Sequence, residues 1–119
     1  MAAITKNLVI DQGANFSYKF TAYKVNFEQD GSLSVAASLS GYTIAAKLKT
    51  SHTTTAAGVT FDCEVVSVPS GTFKISLDDS VTVTLEPRRY VYDVMATSNN
   101  GTKYKLYEGI ATVVPTVTK

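Results

Sequence analysis

His52 is the only histidine in this sequence and Cys63 the only cysteine, so any imidazole or thiol chemistry would have to come from them. Nucleophilic catalysis needs a base within hydrogen-bond reach of a Ser, Thr or Cys. His52 lies in the Thr-rich stretch from Ser51 to Gly58, which reads as a surface loop carrying a solvated imidazole. Cys63 alternates in phase with Phe61 and Val65, the pattern of a buried thiol that packs as a small hydrophobe. A single Cys excludes an internal disulfide, and with one His beside it no transition-metal site can be drawn from spacing. The carboxylates Asp62, Glu64 and the pair Asp78-Asp79 raise the question of acid–base work or calcium. Neighbouring aspartates at a turn ordinarily cap it and face water, and no Asp-x-Asp-x-Asp-Gly loop occurs. The seven glycines are dispersed and form neither GxGxxG nor GxxxxGK, so no phosphate cradle is present. The sequence predicts no catalytic residue, no metal and no cofactor.

The tyrosines offer contact chemistry instead. Tyr90 and Tyr92 share one face of a strand, whereas Tyr104 and Tyr107, three residues apart, fall on opposite faces of the next. Tyrosine serves both sheets and contact surfaces, because it brings a large ring with little rotamer entropy. Cross-strand packing is one reading for each; a protein interface at Tyr104 and Tyr107 is the other.

Composition narrows the class. The 119 residues suit one domain, 1–119, with enough chain for one core. Charged residues make up 18 %, low against about 25 % in typical domains. Thr, Ser, Asn and Tyr replace them, which suits strands and turns. Eleven basic and ten acidic residues give a net charge of +1, and no basic cluster exceeds Arg88-Arg89. Phosphate-backbone binding therefore has no footprint, and no nucleic-acid partner is expected. The N-terminus lacks the charged-then-apolar layout of a secretory signal, and no apolar run is long enough to span a membrane. A soluble protein made in the cytoplasm is expected.

Period-two alternation supplies the elements. Leu8-Val9-Ile10 opens it, and Asp11-Gln12-Gly13 turns the chain. Ala14, Phe16, Tyr18, Phe20 and Ala22 then share one face of the clearest strand. Asp30-Gly31 is a turn signal, and Leu33, Val35, Ala37 and Leu39 mark a short edge strand or hairpin arm. Tyr42, Ile44, Ala46 and Leu48 alternate strictly, which favours a strand over the helix that Ala45 to Lys49 would also allow. Val59, Phe61, Cys63 and Val65 form the next strand, with a phase slip at Val66 of the kind that marks a bulge. Phe73, Ile75 and Leu77 make a short one, closed by Asp78-Asp79-Ser80. A long hairpin ends the chain: Tyr90 to Thr97, a turn at Asn99-Asn100-Gly101, then Lys103 to Val114 with a bulge or twist point at Gly109. About seven strands at this spacing predict an all-β fold, an immunoglobulin-like antiparallel β-sandwich. Leu85, Pro87 and Tyr90 fit the Leu-x-Pro-x-x-Tyr form of a tyrosine corner, whose hydroxyl bonds back to upstream backbone.

Several segments, taken in order, resemble a family of small immunoglobulin-like structural proteins of tailed bacteriophages, including the N-terminal domains of some baseplate upper proteins. They are Gln12-Gly13-Ala14-Asn15-Phe16, Leu39-Ser40-Gly41-Tyr42-Thr43, Gly71-Thr72-Phe73-Lys74-Ile75-Ser76-Leu77, Tyr90-Val91-Tyr92-Asp93-Val94, Glu108 to Val113, and Pro115 to Lys119. The segment between Tyr23 and Leu39 is longer than in that pattern, and Lys47 or Lys49 stands where an Arg is usual. The resemblance implies a non-enzymatic virion component made in the host cytoplasm. It would contact other tail, baseplate, fibre or capsid proteins and repeat as a homo-oligomer in the assembled particle. A carbohydrate- or receptor-binding module on the same scaffold is the alternative, weakened by the absence of Trp.

Overall fold

The computed structural model describes residues 3–23, 27, 36–51 and 58–117. The Asp30-Gly31 turn, Leu33 and Val35 of the weak strand, His52 with most of its loop, and the closing Thr118-Lys119 lie outside the described residues. Among those described, the order is β1 (Ile4–Thr5), β2 (Leu8–Asp11), β3 (Phe16–Thr21), β4 (Thr43–Lys49), β5 (Val59–Thr60), β6 (Asp62–Ser67), β7 (Thr72–Leu77), α1 (Asp79–Thr82), β8 (Arg89–Thr97) and β9 (Lys103–Val114).

The strands form two sheets packed face to face, so the fold is an all-β sandwich. The larger sheet runs β1-β9-β8-β4-β5, with β2 also along β9; the smaller runs β3-β7-β6. The pairings of the larger sheet are antiparallel except at the N-terminus, where β1 and β2 both lie parallel to β9. The chain's first strands thus cover the edge of its last. Alternation decides which side chains meet between the sheets. Leu48, Tyr92, Val94 and Ala111 from the larger sheet face Phe20, Phe73, Ile75 and Leu77 from the smaller, all buried. Removing each large side chain from water contributes roughly 1.5–3 kcal/mol.

The strict alternation of residues 42–48 forms a strand, as its period requires, and the helix reading is set aside. The stretch expected as one strand from Val59 to Val65 is instead shared between sheets. Val59 and Thr60 pair with β4, Phe61 crosses the core, and Asp62 onward pairs with β7. Period two survives the crossing because Phe61 and Cys63 point inward from either sheet. The phase slip at Val66 is a bulge, where the β6–β7 register shifts between Val65 and Ser67.

Asp78-Asp79-Ser80 opens the short helix α1, and Asp78 makes no capping bond with its side chain. The amide of Asp79 donates instead to Oδ1 of Asn15, at 2.8 Å. Behind it lie Gln12 and Thr82, the two buried polar residues among those described. Thr82 Oγ1 donates to the Ala14 carbonyl at 2.8 Å and accepts from the Gly13 amide at 3.1 Å, while Gln12 Nε2 donates to the Leu85 carbonyl at 2.8 Å. Buried polar groups survive in a core only when paired in this way. They tie the β2–β3 turn to the segment that carries the chain from one sheet back to the other.

Candidate functional site

Three tyrosine hydroxyls donate to backbone carbonyls, and each fastens a different seam of the sandwich. Tyr90 donates to Glu86 at 3.0 Å, four residues upstream, and pins the segment entering β8. Leu85 is buried beneath that segment, Pro87 is exposed on its outer side, and the Arg88 guanidinium lies 5.6 Å from the Tyr90 ring centre. Tyr92 donates to the carbonyl of Lys6, between β1 and β2, and so holds the N-terminal strands from beneath β9. Gly109, opposite Tyr92, makes room for this approach; a Cβ there would sit 2.3 Å from the Lys6 carbonyl oxygen. Tyr107 donates at 2.6 Å to Thr21 at the end of β3, which joins the two sheets.

The placement of Tyr107 corrects the expectation that it faces away from Tyr104. The β8–β9 register shifts between Val94 and Met95, which leaves Leu106 unmatched opposite β8. That extra residue turns Tyr107 to the same side as Tyr104. Leu106 and Tyr107 are consequently both buried, and Gly109 is a site of close approach rather than the bulge. Tyr107 is 6 % exposed and packs, tilted, against Phe20 at 4.4 Å between ring centres, so its ring belongs to the core and not to a contact surface. Tyr104 is half-buried at one end of the sandwich, where it meets Phe27 and Tyr42 at 5.2 and 6.1 Å.

Burial also governs ionisation. The Tyr107 hydroxyl is pushed up to about 12 by loss of hydration, and Tyr92 is raised further for the same reason. In the unfolded chain a tyrosine ionises near ~10. A raised value in the fold means that the protonated phenol contributes its full stability below pH ~10. That contribution is lost as pH rises from there toward the folded value. The expected loss from Tyr107 is about 1.4 kcal/mol per pH unit between ~10 and ~12. Urea midpoints at pH 9 and pH 11 measure it, and Tyr107→Phe should flatten the decline. Burial likewise raises the Cys63 thiol, which points at the Phe61 carbonyl, 3.7 Å away. Such a thiol is less often the reactive thiolate at neutral pH.

Asp62 and Glu64 stand on the outer face of β6, where Glu64 pairs with Lys74 at 3.5 Å. Among the described residues no group of three His, Cys, Asp or Glu converges as a metal site would require. Several shallow hollows break the surface, and two of them are lined by tyrosines. One of about 350 Å³ lies at the hairpin end, beside Tyr42, Tyr104, Asn99 and Asn100. Another of about 240 Å³ lies between β1 and β3, lined by Ile4, Lys6, Tyr18 and Tyr107. Lys6 Nζ sits 5.6 Å from the Tyr18 ring centre there.

What the residue pattern did not reveal is the asymmetry of the smaller sheet. Its outer strands β3 and β6 each pair only with β7 among the described residues. The first exposes Lys19 and the second Asp62 and Glu64. Each charge was visible in the sequence, but cross-strand register was not. Compared with known proteins, the chain matches no family model and no curated protein.

Proposed function

We propose that this domain is a non-enzymatic structural component of a tailed-phage virion, working through protein–protein contacts in the tail, baseplate, fibre adaptor or capsid. The observation that carries this reading is how the aromatic side chains are used. Tyr90, Tyr92 and Tyr107, the residues most suited to ligand contact, act as internal fasteners, while β3 and β6 each pair on one side only among the described residues. An open strand edge recruits another strand through its unpaired N–H and C=O groups. The phage assignment is supported by the ordered resemblance from about Asp11 to Lys119. On this reading the protein is made in the host cytoplasm and resides in the virion.

A carbohydrate- or receptor-binding role is the second reading, favoured by the hollow beside Tyr42, Tyr104, Asn99 and Asn100. Against it, Tyr42 packs on Phe27 at 4.8 Å and Tyr104 on Phe27 at 5.2 Å, which covers ring surface that a sugar would use. Quantitative mass spectrometry of purified particles from cells carrying the gene separates the two. A structural component is expected at a fixed ratio to tail or capsid proteins, in many copies. A chain absent from the particles, yet retained on a glycan array, would reject the structural role.

A further inference from the structure

We propose that copies of this chain associate head to tail, with β6 of one copy adding as a strand to β3 of the next. The smaller sheet then runs on from copy to copy. The inference rests on the structural reading above and names its partner as a second copy of the same chain.

A single row of outward side chains carries the argument. Register places Lys19 of β3 directly opposite Lys74 of β7, and Lys74 directly opposite Glu64 of β6. Glu64 pairs with Lys74 at 3.5 Å, yet its side chain stays 68 % exposed. Lys19 is exposed and has no ion pair among the described residues. Like charges directly opposite each other weaken a sheet. Within one copy the row reads cation, cation, anion, and among the described residues the sheet ends on a basic edge at β3 and an acidic edge at β6.

Joining unlike edges resolves the row. Glu64 of the next copy comes beside Lys19, so that every lysine in the row gains a carboxylate neighbour. Joining like edges does the opposite: two β3 strands would bring Lys19 toward its own copy, and two β6 strands would gather Asp62 and Glu64 from both chains. Charge therefore selects a heterologous contact over a two-fold one. Both outer strands run antiparallel to β7, so they point the same way and the new pair is parallel. The bulge at Val66 ends regular pairing just after the two carboxylates, which confines the contact to the acidic part of β6. A heterologous contact repeats into a ring if it closes and a filament if it does not.

Sedimentation velocity and light scattering of the intact chain at low salt, up to about 1 mM, test this. The expected result is growth in multiples of the 12.8 kDa chain, weakening as salt is added. Lys19→Glu and Glu64→Lys should each weaken association roughly tenfold or more, since attraction becomes repulsion. Mixing the two variants should restore it, because each altered edge meets its complement on the other protein. Lys19→Glu also replaces the like-charged Lys19–Lys74 neighbours by an opposite-charged pair, so it is expected to fold and decides the matter alone. A wild-type chain that stays at 12.8 kDa throughout overturns the proposal, as does a Lys19→Glu variant that assembles undiminished. A monomer still found in purified particles would remove self-pairing and leave the structural role standing. An assembling chain absent from particles would do the reverse.

Discussion

Tyr107→Ala is expected to destabilise the domain by about 3–5 kcal/mol, the cost of removing a large buried aromatic. The ring is in contact with Phe20 at 4.4 Å and Phe73 at 6.4 Å, so truncation leaves a cavity between the sheets. The hydroxyl's bond to Thr21 is lost with it, and the carbonyl at the end of β3 loses that donor. Against a total stability of roughly 5–15 kcal/mol, a loss of this size takes the domain close to unfolding. Tyr107→Phe keeps the ring and forfeits only the hydrogen bond, about 1–2 kcal/mol. Urea denaturation of the three proteins measures both steps. A contact tyrosine on the surface would behave differently, with Tyr107→Ala leaving the urea midpoint unchanged.

Gly71→Ala is the second large effect, expected at about 3 kcal/mol or more. Gly71 sits in the turn between β6 and β7 at φ +68°, in the left-handed region that a Cβ disfavours. A Cβ there would also lie 2.2 Å from the Ala37 carbonyl oxygen and 3.0 Å from that of Ala22. Both are backbone atoms in a hydrogen-bonded crossing, where the Ala22 amide donates to Gly71 and the Ala37 amide to Ala22. Neither can withdraw without breaking that crossing. Gly101 is the control, because its φ is +88° but nothing lies within 4 Å of its added Cβ. Gly101→Ala should therefore cost only the conformational part, about 1 kcal/mol. The difference between the two variants, read from their denaturation midpoints, isolates the close approach at Gly71.

Much of the sandwich is written locally. Phe16, Tyr18 and Phe20, like Phe73, Ile75 and Leu77, point inward because period two leaves them no other shared face. Hairpin chemistry at Asn99-Asn100-Gly101 places the β8–β9 turn, and the Val65-Val66 slip marks the β6–β7 bulge. The doublet Leu106-Tyr107, between Lys105 and Glu108, carries the same kind of slip. Reading through it as unbroken alternation puts Tyr107 on the wrong face. The parallel cover of β9 by β1 and β2, and the transfer of the chain between sheets at Phe61, have no local signature. Both depend on which strands meet, and period two is silent about partners. The buried Gln12 and Thr82 were hidden for a related reason: their hydrogen-bond partners lie about seventy residues away in the chain. The charged row Lys19–Lys74–Glu64 likewise exists only once β3, β7 and β6 are in register.

The idea that these edges are the working surface is tested most directly by hydrogen–deuterium exchange resolved to individual strands. Amides of the chain are compared between the dilute monomer and the assembled state, in concentrated solution or in particles. The expected result is new protection along β3 and along residues 62–65 of β6, with little change on the outer face of the larger sheet. Unchanged exchange at both edges, or protection confined to the end carrying Tyr42 and Tyr104, would contradict it.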